Sequence, residues 1–397
     1  MEKTTHGRSL KETGRVVLAA LIALILALTL VGCQSDESST NEGSTEDAEA
    51  VVEAADSSDD DSRTLADSLG EVTISGDIEN IVSTAPAYTI AFLLAGAVDN
   101  IVGIDSSTAV NEWILEKFPS LQDATQVVSS GEINLETLLS LEPDVVALAP
   151  SYADGYLTTL VEWGIACVST PETLDDERLR DQVKLRQLYY GEVLGGEAQE
   201  RSEAYAEYFD EIVELVESRV ADIAEEDKKT VIEVYSVDPV TVINGNSRSM
   251  AQEYITTAGG INCAGDNTDD GTSGRMETSI EQIIAWDPDY IICYSEEVYE
   301  AIMSDSTWQS LTAVQEGHVY IMPQGLMLWG YNGPELTLML EYMGKLLYPE
   351  LFEDIDLKEE MDYFYETFFG IELTDEDYQT ILKTDLTIEE YCEAVFG

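Results

Sequence analysis

Histidine is almost missing from this chain: 397 residues hold two, His6 and His318. His6 belongs to an N-terminal segment expected to be removed, which leaves His318 in "EGHVYIM". A zinc hydrolase or a bare zinc or manganese site draws on several imidazoles, so no metal site built by the protein is expected. A Ser/His/Asp hydrolase would rest on His318 alone. The GxSxG elbow that exposes such a serine does not occur, and "GNSRS" and "GTSGR" come nearest. Cysteine is scarce too. Cys33, Cys167, Cys263, Cys293 and Cys392 show no CxxC spacing, which argues against a metal cluster. The last four read as free thiols, with a disulfide left open because export permits one. Bases number 19 against 79 acids, a formal net charge of −60, which repels nucleic acid and anionic lipid. The expectation is a protein that is not an enzyme and carries no intrinsic cofactor.

What is present begins with an address. "MEKTTHGRSLKETGR" carries Lys3, Arg8, Lys11 and Arg15 and leads into "VVLAALIALILALTLVG", a positive n-region before an apolar h-region as in a secretory signal. The apolar run is short for a helix crossing the roughly 30 Å hydrocarbon core, though an uncleaved anchor is the competing reading. "LVGC", Leu30 to Cys33, is similar to a bacterial lipobox. That resemblance implies a signal peptide over 1–32 and a lipid on Cys33. Either reading holds the chain on the outer face of a membrane. Next comes "QSDESSTNEGSTEDAEAVVEAADSSDDDSRT", Gln34 to Thr64. It has too few large apolar residues to offset its ordering entropy, and its like charges extend it. Residues 33–70 are therefore read as the lipidated Cys and an acidic tether.

Two later stretches echo each other. "NLETLLSLEPDVV" starts at Asn134 and "SIEQIIAWDPDYI" at Ser279, 145 positions on. That interval is too long for a solenoid repeat of about 20–50 residues and matches one domain. Two similar lobes follow. "NIVSTAPAYTIAFLLAGAVDNIVGID", Asn80 to Asp105, reads strand, turn, helix, strand: a βαβ unit with a parallel crossover, Pro86 sitting in the first helical turn. The N-terminal α/β lobe is placed at 71–173 and the linking helices at 174–227, with a break near Gly195–Gly196. The C-terminal α/β lobe with a helical tail takes 228–397. The fold class is α/β: two Rossmann-like lobes with parallel sheets, joined by a long backbone helix that limits hinge closure.

With these segments assembled, the chain resembles the substrate-binding lipoproteins of ABC importers for ferric siderophores, haem and corrinoids. The likeness runs from about Glu71 to Pro349 and rests on "IVSTAPAYTIAFLLAGAVDNIVGID", "GEINLETLLSLEPDVVALAPS", "MAQEYITTAGGIN", "SIEQIIAWDPDYIICYS" and "WQSLTAVQEGHVYIMP" in that order. It implies a ligand cleft between the lobes and a monomer that partners an ABC permease and its ATPase. It also implies permease docking through one Glu on each lobe, which here are Glu136 and Glu281. Both also fit the second position of a helix capped by Asn134 or Ser279, where a carboxylate gains about 0.3–1 kcal/mol from the helix dipole.

Ligands of open α/β sheets sit beyond the C-terminal ends of the strands. By that rule the cleft candidates are Tyr88, Ser151 and Tyr152 in the first lobe. In the second they are Tyr235, Asn246, Arg248, Arg275, Tyr294, Trp329 and Tyr331. Aromatic planes with a few cationic donors suit a large flat or anionic chelate. Core packing is the competing role for Tyr235, Tyr294 and Trp329, and a surface ion pair for Arg275. The family resemblance makes a ferric siderophore-type chelate the expected ligand; a haem- or corrinoid-binding surface lipoprotein, with or without a permease, is the alternative. The helical tail after Pro349 is expected to pack on the second lobe.

Overall fold

In a computed structural model of the chain, which describes residues 62–171, 178–243, 245, 249–265 and 274–397, order begins before residue 71. β1 (Arg63–Asp67) and β2 (Gly70–Ile74) form an antiparallel hairpin. The reason is Asp67. It is buried, and its carboxylate accepts from Leu69 N at 2.7 Å, Ser169 N at 2.6 Å and the Tyr189 hydroxyl at 2.6 Å. Those long-range bonds offset the polar composition that made the stretch up to residue 70 read as tether. The signal segment and Cys33 lie outside the described residues.

The first lobe is built on β3 (Ile81–Ser83), β4 (Ile101–Ile104), β5 (Thr125–Gln126), β8 (Val145–Ala147) and β9 (Ala166–Val168). A small hairpin of β6 (Val128–Ser129) and β7 (Glu132–Ile133) stands apart. The sheet runs β5-β4-β3-β8-β9 and is parallel throughout. The helix Pro86–Leu94 links β3 to β4 with Pro at its start, as the βαβ reading predicts. Strand order reverses between β3 and β8, which marks the carboxyl ends of these two strands as the ligand crevice.

The second lobe holds β10 (Thr230–Val237), β11 (Val240–Ile243), β12 (Ile261–Asn262), β13 (Arg275–Glu277), β14 (Tyr290–Cys293) and β15 (Val319–Ile321). Here the sheet is mixed. β12, β14 and β15 join through parallel pairings, but β11 and β13 are antiparallel. The two-residue connection Asp238–Pro239 between β10 and β11 is too short for a parallel return, which needs a crossover of a dozen residues or more.

The linking region forms two helices, Asp181–Leu194 and Gly196–Val220, joined at Gly195. They lie side by side because Gly191 lets Ser202 come close; a Cβ there would sit 2.6 Å from Ser202 Cβ. The pair is fastened to both lobes. Gln187 donates to Ala91 O at 3.1 Å in the first lobe, and Arg186 to Asn332 O at 2.5 Å in the second. Arg178 meets Glu253 at 2.8 Å on the helix Met250–Thr257.

The tail forms helices Leu357–Phe369, Asp375–Leu382 and Ile388–Phe396, each with a side-chain N-cap from Asp356, Thr374 or Thr387. It packs on the second lobe as expected, through Tyr342–Tyr391 at 2.9 Å and Gln324 N to Ile381 O at 2.8 Å. It also reaches the first lobe, which was not expected. Trp113 Nε1 donates to Asp377 at 2.7 Å, Lys117 pairs with Asp377 at 2.6 Å, and Trp113 meets Tyr365 edge-on at 5.6 Å. One continuous hydrophobic core therefore runs from the helix Pro86–Leu94 through the linking helices to Leu336–Leu347 and the tail. Two smaller clusters cover the other faces of the sheets.

Candidate ligand-binding site

A cleft of about 410 Å³ opens between the lobes. Pro86 brings the carboxyl end of β3 to its rim, and residues Ser107 to Ile114 form the rest of the first-lobe wall. The opposite wall is Tyr294, just past β14, and the loop from Gln324 to Tyr331. Thr380 and Lys383 close a third side from the tail. Trp113, Ile114, Val110, Leu326, Met327 and Leu328 make the lining largely apolar.

The loop of the second wall is held by one carboxylate. Glu335, fully buried, accepts from Leu326 N at 2.8 Å, Met327 N at 2.6 Å and the Tyr365 hydroxyl. Gly325 passes so close that a Cβ would collide with the Tyr365 hydroxyl and the Glu335 carboxylate. Burial pushes the Glu335 carboxyl up to about 7, against the pull of those donors.

Behind the cleft lies an aromatic group. Tyr294 meets Tyr331 edge-on at 5.8 Å and Tyr235 at 4.5 Å, and the Arg275 guanidinium lies 3.7 Å from the Tyr235 ring centre. Among the described residues that stacking is what Arg275 finds; it adds about 0.5–1 kcal/mol at an exposed position. Glu233 is buried beneath, accepting from the Tyr254 hydroxyl at 2.7 Å. Burial pushes its carboxyl up to about 7, while Tyr254, Arg275 and Tyr331 oppose the rise.

Of the residues singled out from sequence, Tyr294 and Tyr331 line the cleft, and Tyr235 with Arg275 form the layer behind them. Tyr88 does not line it. Its ring is buried against Tyr190 at 5.7 Å, and its hydroxyl bonds Ser169 at 3.3 Å and Thr170 at 3.1 Å. Trp329 is likewise core, fully buried and edge-on to Tyr342 at 6.2 Å. Tyr152 packs by Tyr156 on the outer face of the first sheet, away from the cleft lining. Asn246 and Arg248 lie outside the described residues. Among the described residues, Cys167, Cys263, Cys293 and Cys392 are free thiols.

Glu136 and Glu281 occupy matching places. Each is exposed at the second position of a short helix, Leu135–Ser140 or Ile280–Trp286. Asn134 caps the first by accepting from Thr137 N at 3.0 Å, and Ser279 the second by accepting from Gln282 N at 3.2 Å.

Sequence reasoning missed Trp113, Thr380, Lys383 and Glu233. A carboxylate inside the apolar strand "TVIEVYSV" was a readable signal for Glu233, since an acid is almost never fully buried without partners. Nothing local marks Trp113 or Lys383 as cleft residues.

Two parallel-cored α/β lobes, a stiff helical connection and a cleft at the strand ends define a solute-binding protein. The family model described as periplasmic binding protein matches residues 81–326, and the chain belongs to that family. It is similar to the molybdate-binding protein MolA of Haemophilus influenzae, with 25% identity over 271 residues, 63% of this chain and 74% of that protein. It is also similar to the uncharacterized ABC transporter substrate-binding lipoprotein YvrC of Bacillus subtilis, with 22% identity over 284 residues, covering 72% and 84%. Among solved structures, a periplasmic solute binding protein from Veillonella parvula aligns with a TM-score of 0.67 and 27% identity, over 81% of this chain and 97% of that one.

Proposed function

We propose that the chain is a lipid-anchored receptor that captures a ferric siderophore-type chelate and delivers it to an ABC permease. The observation that carries this is the cleft itself: about 410 Å³, walled by Trp113, Tyr294, Tyr331 and Met327. That volume falls in the usual range for drug-sized organic ligands, roughly 300–1,000 Å³, and such pockets are predominantly apolar with a few polar groups. A chelate with an organic periphery fits that description and brings its own metal ligands. The relative named as an ABC transporter substrate-binding lipoprotein supports the permease as partner, and the one named for molybdate supports a metal species as ligand. Molybdate is the second reading, on the strength of MolA. A small tetrahedral oxyanion would leave most of this apolar cleft unfilled, which favours the larger ligand.

In this reading Glu136 and Glu281 are the two feet on the permease, and Cys33 carries the lipid. The deciding test is spectroscopic. The exported chain is incubated with ferric siderophores, haemin, cobalamin and molybdate, desalted, and examined for retained chromophore, bound metal and tryptophan quenching. Stoichiometric retention of a ferric siderophore supports the proposal. Retention of haemin or cobalamin alone moves the ligand to the haem or corrinoid class, and retention of molybdate alone overturns the chelate reading.

A further inference from the structure

Lys383 is an odd cation for this protein. In so acidic a chain half of the described lysines and arginines meet a carboxylate, among them Lys117 on Asp377, Lys184 on Asp210, Arg219 on Asp354 and Lys358 on Asp362, and others are held by backbone oxygens, as Arg201 and Lys345 are. Lys383 has no ion pair or hydrogen bond from its side chain to another described residue, and Glu296 acts on it only through space. It is half-buried on the cleft. An ammonium taken partly out of water without a partner is unfavourable, and burial lowers its proton affinity.

The backbone adds a second unfavourable feature. Lys383 ends the helix Asp375–Leu382 with φ 53° and ψ 51°, the left-handed conformation. Glycine or asparagine is the usual occupant of that position. Strain of this kind persists only where the surroundings over-determine it, and it clusters at ligand clamps. The surroundings do so here. Asp377, one turn and a half earlier, is fixed to Trp113, Lys117 and Thr374, and Ile381 O is fixed by Gln324 N.

We infer that Lys383 selects the charge of the ligand: its ammonium, delivered into the cleft by the C-terminal tail, pairs with an anionic group of the bound molecule. This rests on the reading of the cleft as the ligand site. The residue lies beyond residues 81–326 matched by the family model, so it is the tail that carries this selectivity. The ligand class it favours is an anionic chelate, such as a ferric complex of catecholate or hydroxycarboxylate groups, over a neutral one. Lys383 also places one positive charge on the cleft of a chain whose formal net charge is −60, which would otherwise repel such a ligand.

The test uses the full exported chain and three probes: a trianionic ferric tris-catecholate, a neutral ferric tris-hydroxamate, and molybdate. Affinities are measured for the native protein, Lys383→Gln, Lys383→Arg and Lys383→Asn. Asparagine tolerates the left-handed backbone and so separates loss of charge from a failed fold. Removing one partner of a buried charge pair weakens binding by roughly 30-fold or more. Lys383→Gln and Lys383→Asn are therefore expected to lose about 30-fold in affinity for the tris-catecholate. Lys383→Arg should retain most of it, and the tris-hydroxamate should be unaffected. Equal losses for both chelates would mean a packing role and overturn the inference, as would unchanged tris-catecholate binding. If the native protein binds molybdate but no chelate, and Lys383→Gln loses it, Lys383 keeps its role while the chelate reading fails. If the native protein binds none of the anionic probes, the inference falls.

Discussion

Asp377→Asn is the substitution that most sharply tests how the cleft is assembled. The Asp377 carboxylate is buried, with Oδ1 accepting from Trp113 Nε1 at 2.7 Å and from Lys117 Nζ at 2.6 Å, and Oδ2 accepting from Thr374 N and its hydroxyl, both at 2.8 Å. An amide keeps one acceptor oxygen and turns an NH2 group towards one pair of donors. It also leaves the Lys117 ammonium without its counter-charge. Breaking a buried pair in this way costs about 3–5 kcal/mol, and the lower end applies because Lys117 keeps some contact with water. About 3 kcal/mol is a little over two decades in an equilibrium constant. Hydrogen exchange resolves such local openings. Amides of Asp375–Leu382 should lose roughly a hundredfold in protection, while those of β3 and β8 hold. The acid dependence is a second signature. Burial opposes the charge, but Lys117, Thr374 and Trp113 outweigh it and keep the carboxyl below its ordinary value. A depressed carboxyl contributes stability above its unfolded value, and that contribution is lost as pH falls through the folded one. The gap between native protein and variant should therefore close in acid. Protection in the tail that stays within a factor of about three of native at neutral pH would refute the view that Asp377 fastens it.

Replacing Glu136 and Glu281 together by Gln should abolish uptake in cells with ligand affinity unchanged, at a stability cost of about 0.3–1 kcal/mol per site from the helix dipole; unchanged uptake would remove them from docking. Gly325→Ala should cost about 1–3 kcal/mol through overpacking against Tyr365 and Glu335, read as a lower urea midpoint with an unaltered slope. Glu335 and Glu233 are both pushed up to about 7 from 4.5, so the folded state holds protons that the unfolded state has released between those values. Their contribution is full below about 4.5 and is lost as pH rises through 7. Urea midpoints from pH 5 to 8 should fall more steeply in the native protein than in Glu335→Gln or Glu233→Gln. Burial pushes the thiols of Cys263 and Cys392 up to about 11 and that of Cys293 further. Ellman's reagent should accordingly reach Cys293 only on unfolding, and reaction at the native rate of a free thiol would contradict its burial.

What could be read from sequence was what is local or periodic. Asn134 and Ser279 announce their helices because a cap and its first turn lie within four residues, and Glu136 and Glu281 follow from them. Pro86, the βαβ unit and the break at Gly195 were legible for the same reason. The strand-end rule found Tyr294 and Tyr331, yet it also chose Tyr88 and Trp329, since an aromatic after a strand looks the same whether it turns to the cleft or to the core. The antiparallel return through Asp238–Pro239 was missed because parallel sheets were expected in both lobes. The hairpin at Arg63–Ile74 was missed because Asp67 finds its partners 102 and 122 positions away. Lys383 could not have been found at all: Trp113 and Asp377, 264 positions apart, decide where the tail lies.

The continuous core has a consequence for how such a receptor discriminates. If lobes, linking helices and tail share one packed interior, the width of the cleft is set when the chain folds, not when the ligand arrives. The protein then works as a gauge. A molecule that matches the gap meets a site already in its binding form, so no affinity is spent in shifting a population towards a closed state. One that is too wide finds no open form to enter. The other side of this is release. A gauge that does not open by itself lets go only when something levers it, and on the docking proposal Glu136 and Glu281, exposed on opposite lobes, would give a membrane partner its grip.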